Sequence, residues 1–214
     1  MTVDHTAASD GSVALTFLND VEARTVEAIA ERIIPDGGDG AGARAAGVVY
    51  YIDRAVAGVS TNLQHVYRRG LHALDRHCRS AYGTAFADLS EGDQDYVVRR
   101  FLGPEQLDGD ATPQMFGDEQ REQDDPDRPI LARLFAVVRE HTIEGFFCDP
   151  VYGGNRDAVG WKLVGFPGAY WGYTAKQMGQ GFDGRTLPIK TLSDLRAQLK
   201  SLPDNSTFTS NEER

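Results

Sequence analysis

The chain holds 214 residues, 41% of them hydrophobic and 25% charged, enough apolar material for one globular domain to bury a core. A formal net charge of -10 and a pI near 4.9 argue against nucleic acid or an anionic membrane surface as partner. Two cysteines, Cys78 and Cys148, are too few for an iron-sulfur cluster, no C-x-x-C-H offers covalent haem attachment, and no apolar run approaches the roughly 18 residues a membrane span needs.

Residues 1–14 are polar, small and aperiodic, the pattern of a flexible leader, without the basic and apolar regions of a secretion signal. The chain is therefore expected in the cytoplasm. Asn19 with Glu22 three positions on forms a capping box, and Val26, Ile29, Ala30 and Ile33 share one face of a first helix that Pro35 stops. The linker that follows matches G-x-G-x-x-A at Gly40, Gly42 and Ala45. Because a helix rather than a buried strand feeds those glycines, dinucleotide binding is rejected. Val48, Tyr51, Ile52 and Ala55 then mark a second helix.

A third helix is predicted over 61–82, with Leu63, Val66, Tyr67, Gly70, Leu71, Leu74, Cys78 and Ala81 inward. Its outer side carries His65, Arg68, Arg69, His72, Arg76 and Arg79, a basic face expected to be neutralised by neighbouring carboxylates, or else to dock an acidic partner. Ser90 and Asp93 start a fourth helix, which Gly103 and Pro104 end. Residues 103–128 lack periodicity and hold nine carboxylates against Arg121 and Arg128, without the spacing of a calcium loop; a mobile surface excursion is expected. A fifth helix opens at Asp127 and places Leu131, Leu134, Phe135, Val138 and Phe146 on one stripe. A short helix after Thr191 would carry Leu195, Leu199 and Leu202 before a polar tail. The expected fold is mainly α: one helical bundle over 15–203 with long irregular glycine- and aromatic-rich segments, flanked by the leader and a tail over 204–214.

Residues 144–173 gather eight of the chain's 20 aromatic rings among closely spaced glycines and prolines, so the rings must sit on a shaped loop. Trp161, Phe166 and Trp171 could fill the core beneath such a loop. Tyr152 and Asn155, flanking Gly153-Gly154, are expected to point outward, and the abundance of large rigid rings favours a protein contact. His141, Glu144 and Cys148, at i, i+3 and i+7, are ligand types that zinc accepts. Asp149-Pro150 would fray the helix under Cys148 and no fourth ligand is evident, so packing is the expected role. H-E-x-x-H, G-x-S-x-G and G-x-x-x-x-G-K-[ST] are all missing from the sequence.

The run FCDPVYGGNRDAVGWKLVGFPG resembles the signature of the gluconate 2-dehydrogenase subunit 3 family, and the capped first helix ending in IIP is similar as well. The signature positions are Asp149, Pro150, Tyr152, Gly153, Gly154, Asn155, Trp161, Gly165, Pro167 and Gly168. The resemblance implies a non-catalytic small subunit with no cofactor of its own, assisting the folding, stability or export of a glucose-methanol-choline (GMC) type flavoprotein. That large subunit would hold FAD and oxidise a sugar or sugar acid, with a cytochrome as a further optional subunit. The expected contact residues are Phe147, Cys148, Asp149, Tyr152, Asn155, Trp161, Phe166 and Tyr170. Many relatives carry a twin-arginine leader; the arginine pairs here, Arg68-Arg69 and Arg99-Arg100, fall inside predicted helices. A periplasmic complex would then need a leader removed from this chain or carried by the partner. Two other functions stand beside this one: a self-sufficient metal-dependent enzyme using His141 and Glu144, and a free-standing helical adaptor.

Overall fold

The computed structural model describes residues 14–38, 40–103 and 125–201. The expected leader up to residue 13, the tail, Leu202 and most of the acidic excursion lie outside them. Among the described residues the secondary structure is helical: α1 (Asp20–Ile33), α2 (Val48–Ala57), α3 (Gln64–Tyr82), α4 (Glu91–Leu102), α5 (Arg128–Phe147), α6 (Val159–Val164) and α7 (Leu192–Ser201), joined by short 3-10 turns. The fold is thus mainly α, as the periodicity predicts. None of these helices is long and apolar enough to cross a membrane.

α5 is the axis of the bundle, packing against each of α1, α2, α3 and α4. Its Leu131, Leu134, Phe135, Val137, Val138 and Phe146 are fully buried, and Phe135 stacks on Phe101 of α4 while meeting Phe86 edge-on. Close approach of α3 depends on Gly70, where an added Cβ would lie 2.7 Å from Leu134 Cβ. Gly145 plays the same part toward α2, its virtual Cβ falling 2.9 Å from the Tyr51 ring.

The helix boundaries follow local chemistry. Asn19 Oδ1 accepts the Glu22 N–H at 2.9 Å and Glu22 Oε2 accepts the Asn19 N–H at 3.0 Å, completing the capping box. Ser90 caps α4, and α3 closes on Gly83 in the left-handed region, φ +77°. Residues Thr61–Leu63 form a 3-10 turn, so α3 begins at Gln64 rather than at Thr61. Ala81, expected inward, is exposed because no described element covers that side of the last turn of α3.

Two buried carboxylates tie the loops to this frame. Asp53 of α2 accepts the N–H groups of Thr16, Phe17 and Leu18 at 2.7, 2.9 and 2.7 Å, which pins the chain entering α1. Glu31 accepts the N–H groups of Asp36 and Arg44, and Asp36 accepts those of Gly38 and Gly40. The Gly38, Gly40 and Arg44 amides around this linker thus face carboxylates of this chain, and α1 rather than a strand precedes it, in keeping with the rejection of a dinucleotide site. On the outer face of α3, Arg68 pairs with Glu22 and lies 4.0 Å from the Phe17 ring centre, Arg76 pairs with Asp127, and Arg79 with Asp75. Much of that basic face is neutralised in place, as expected.

Candidate partner-docking region

The end of α5 creates the problem that the next twenty residues solve. A helix leaves its last carbonyls without intrahelical partners, and α5 has neither a basic side chain in its last turn nor a glycine just beyond it. Cys148 ends the helix in an extended conformation, its N–H on Glu144 O at 2.8 Å. Trp161 Nε1 donates to Phe147 O at 2.8 Å, and Asn155 Nδ2 donates to Cys148 O at 2.8 Å. Asn155 Oδ1 in turn accepts the Gly160 N–H at 2.8 Å, so one fully buried amide links the helix end to the start of α6.

The glycines of the stretch are set by contact distance. A Cβ at Gly154 would fall 2.1 Å from Gly145 O, and one at Gly160 would fall 2.1 Å from Phe146 O. The loop lies against the α5 backbone itself, where only glycine fits. At Gly168, φ +87°, a Cβ would lie 2.0 Å from Lys190 O, the point where the chain forms an isolated parallel bridge. Between these anchors Asn155, Asp157 and Ala158 adopt positive φ of 46°, 55° and 55°. Such conformations cost of order 1–3 kcal/mol each and persist only when their surroundings fix them. Here the fixing contacts are the two Asn155 bonds and the Arg156 N–H on Ala46 O at 2.9 Å.

Asp149 extends the frame to the C-terminal arm, residues 169–201. Its Oδ1 accepts the Val151 N–H at 3.0 Å, and its Oδ2 accepts the Leu192 N–H at 2.8 Å, holding the start of α7. The eight residues expected at a contact thus divide. Asp149, Asn155 and Trp161 are buried and bonded within the chain; Cys148 and Tyr170 are half-buried; Phe147, Tyr152 and Phe166 are exposed at 39%, 55% and 45%. Asn155, expected to point outward, points in because the Cys148 carbonyl and the Gly160 amide need it. Of the three rings that could have filled the core, Trp161 is buried, whereas Phe166 is exposed and Trp171 more so, at 66%. Sequence reasoning missed the exposed apolar run that continues past them, through Leu163, Val164, Tyr173 and Met178. It also missed the basic bias of residues 151–201, where seven lysines and arginines face three aspartates in an otherwise acidic chain.

His141, Glu144 and Cys148 have separate partners. His141 Nδ1 is 2.9 Å from the Tyr67 hydroxyl and the two rings stack, while Glu144 accepts the Tyr51 hydroxyl at 2.9 Å. Burial pushes His141 below its ordinary value, with Glu144 and Glu140 opposing, and burial pushes Tyr67 up. Cys148 donates its Sγ–H to Gly145 O at 3.4 Å, and burial raises the thiol to about 11, so it is a protonated, weakly nucleophilic thiol at neutral pH. Among the described residues no three of His, Cys, Asp and Glu come together in a group able to hold a metal ion.

The family model of gluconate 2-dehydrogenase subunit 3 matches residues 20–168, from the first residue of α1 to the glycine that meets Lys190. No curated protein and no solved structure gives a significant match. The matched span covers well over half of the chain, including the five packed helices and the whole α5 closure, and the chain belongs to the gluconate 2-dehydrogenase subunit 3 family.

Proposed function

We propose that this chain is a non-catalytic accessory subunit that binds and stabilises a larger GMC-type flavoprotein, in which FAD and sugar or sugar-acid oxidation reside. The family is one of dehydrogenase-complex subunits, which supports a heteromeric role. The observation that carries the reading is the division within the signature. Its buried half closes α5, and the helix end and the turns that close it hold Phe147, Tyr152 and Phe166 in solvent. Exposed rings on a backbone already fixed in place lose little freedom on docking, and aromatic anchors of this kind carry much of the energy of protein contacts.

Co-expression with the flavoprotein encoded as its partner should yield a yellow complex of fixed stoichiometry. Dye-linked sugar oxidation should appear in the complex and not in the isolated chain. Replacing Tyr152 and Phe147 together by alanine should weaken binding about ten-fold or more, since each truncated anchor costs on the order of 1 kcal/mol or above. The thermal midpoint of the isolated chain should stay close to that of the wild type. Sugar oxidation by the chain alone, or failure of any yellow protein to co-purify, would overturn the proposal.

A further inference from the structure

We infer that the C-terminal arm, residues 169–201 together with the α6 face beside it, is the selectivity element of this subunit and receives an acidic, apolar-centred patch of the flavoprotein. This deepens the accessory-subunit reading and rests on it. The arm lies beyond the span shared with the family, which ends at 168. Its surface differs from that of the bundle in two respects that act together.

The first is apolar exposure without a core to serve. Leu195 is the one buried residue between 169 and 201, while Trp171 and Met178 stand 66% and 70% exposed. Phe166, Pro167, Tyr173, Met178, Phe182 and Leu187 line an open groove of about 270 Å³. That volume suits one or two inserted side chains. Phe166 belongs to both the groove and the expected contact residues, so the groove continues the docking face already described.

The second is charge. Lys162, Lys176 and Arg196 are exposed around this region, which is basic in a chain whose total is -10. A partner patch presenting carboxylates around apolar side chains would be drawn to the arm and repelled by the bundle, which fixes orientation as well as affinity. Two other occupants meet the same surface less well. A second copy could place its acidic bundle on the arm, but a head-to-tail contact of that kind closes only as a ring and otherwise propagates as a filament, so it would show as self-association of the free chain. An anionic bilayer calls for a protruding basic face, whereas the arm presents a concavity and keeps Asp183 and Asp194 among its cations.

The test is calorimetric titration of the full-length chain into its purified flavoprotein subunit at 50 and 300 mM NaCl. The variants are Lys162→Glu with Lys176→Glu, Trp171→Ala, and Met178→Ala. All four positions are exposed, and circular dichroism should confirm an unchanged fold. Wild-type affinity should fall at least three-fold at the higher salt. The charge-reversed chain should bind at least ten-fold more weakly at 50 mM and lose most of its salt dependence, and each apolar variant should lose at least three-fold. The inference is overturned if the complex forms and all the variants bind like the wild type, a result that leaves the accessory-subunit reading intact. It is equally overturned if the wild-type chain alone self-associates, or adheres to phosphatidylglycerol vesicles, through these same residues. Absence of any complex with the wild-type chain would sink the accessory-subunit reading, and the inference with it.

Discussion

Asn155 is the residue on which the closure of α5 turns. It is fully buried, holds a left-handed backbone that asparagine tolerates, and satisfies one carbonyl and one amide that nothing else reaches. Asn155→Ala should cost about 2–5 kcal/mol, because it leaves both groups buried and unpaired while keeping an unfavourable φ; urea unfolding of the isolated chain checks this. Glycine at the same position would relieve the φ strain and lose only the bonds, so the difference between the two variants separates the contributions. A methyl group at Gly154 or Gly160 must displace a helix carbonyl, whereas Gly172 has open space around it. Alanine should destabilise the chain by about 1–3 kcal/mol or more at the first two and leave it nearly unchanged at the third. The sequence displayed these residues as a signature without their reason: polarity at a turn suggests solvent, and only the distance from Asn155 to Cys148 O reveals an internal cap. His141 adds a pH dependence. Its ring is held neutral below the ordinary histidine value, so the unfolded chain binds a proton that the folded chain resists. Stability should be fully present above about pH 6.5 and fall as the pH drops. His77, also lowered by burial with Arg100 adding to it, contributes in the same direction. His141→Gln should reduce the drop in urea midpoint between pH 7.5 and 5.5, and an unchanged drop would show that His141 is not its source.

At the scale of elements, the helices were legible because their signals are local and periodic. The Asn19 capping box, the Ser90 cap and the apolar stripe of α5 each need only a few neighbouring residues, and all stand where the sequence places them. Within the arm, α7 was legible from the Thr191 and Asp194 start, which forms as the sequence places it, but the attachment and exposure of the arm were not. Its aromatic rings resemble core residues in composition, and its attachment depends on pairs far apart in sequence, Asp149 with Leu192 and Gly168 with Lys190. Composition also concealed its charge, since a basic segment disappears into an acidic total. Asp149 is the polar tether of α7 to the bundle, so Asp149→Ala should speed amide hydrogen exchange across Leu192–Ser201 while exchange in α3 and α5 keeps its wild-type rate. Equal acceleration in both regions would instead assign Asp149 to the global fold.

For the whole molecule, the two tryptophans supply a direct comparison between frame and arm. Trp161 lies under the closure with its Nε1 on Phe147 O, and Trp171 stands exposed on the arm, while the helical circular dichroism signal comes mostly from the five bundle helices. The bundle buries a continuous apolar cluster around α5; the arm beyond Gly168 buries Leu195 alone. Segments with so few buried contacts open at lower free energy than the core they are attached to. In a Trp161→Phe chain, fluorescence reports Trp171 and the arm, and its urea midpoint should precede that of circular dichroism. In a Trp171→Phe chain, fluorescence reports the closure and should coincide with circular dichroism, because Asn155, Gly154 and Gly160 fasten it to α5. Binding of the flavoprotein should raise the first midpoint toward the second, since a partner that recognises only the ordered arm stabilises it in proportion to the logarithm of its concentration over Kd. A single midpoint for both probes in the free chain would mean that the arm is ordered as firmly as the bundle, and docking would then add no order to it.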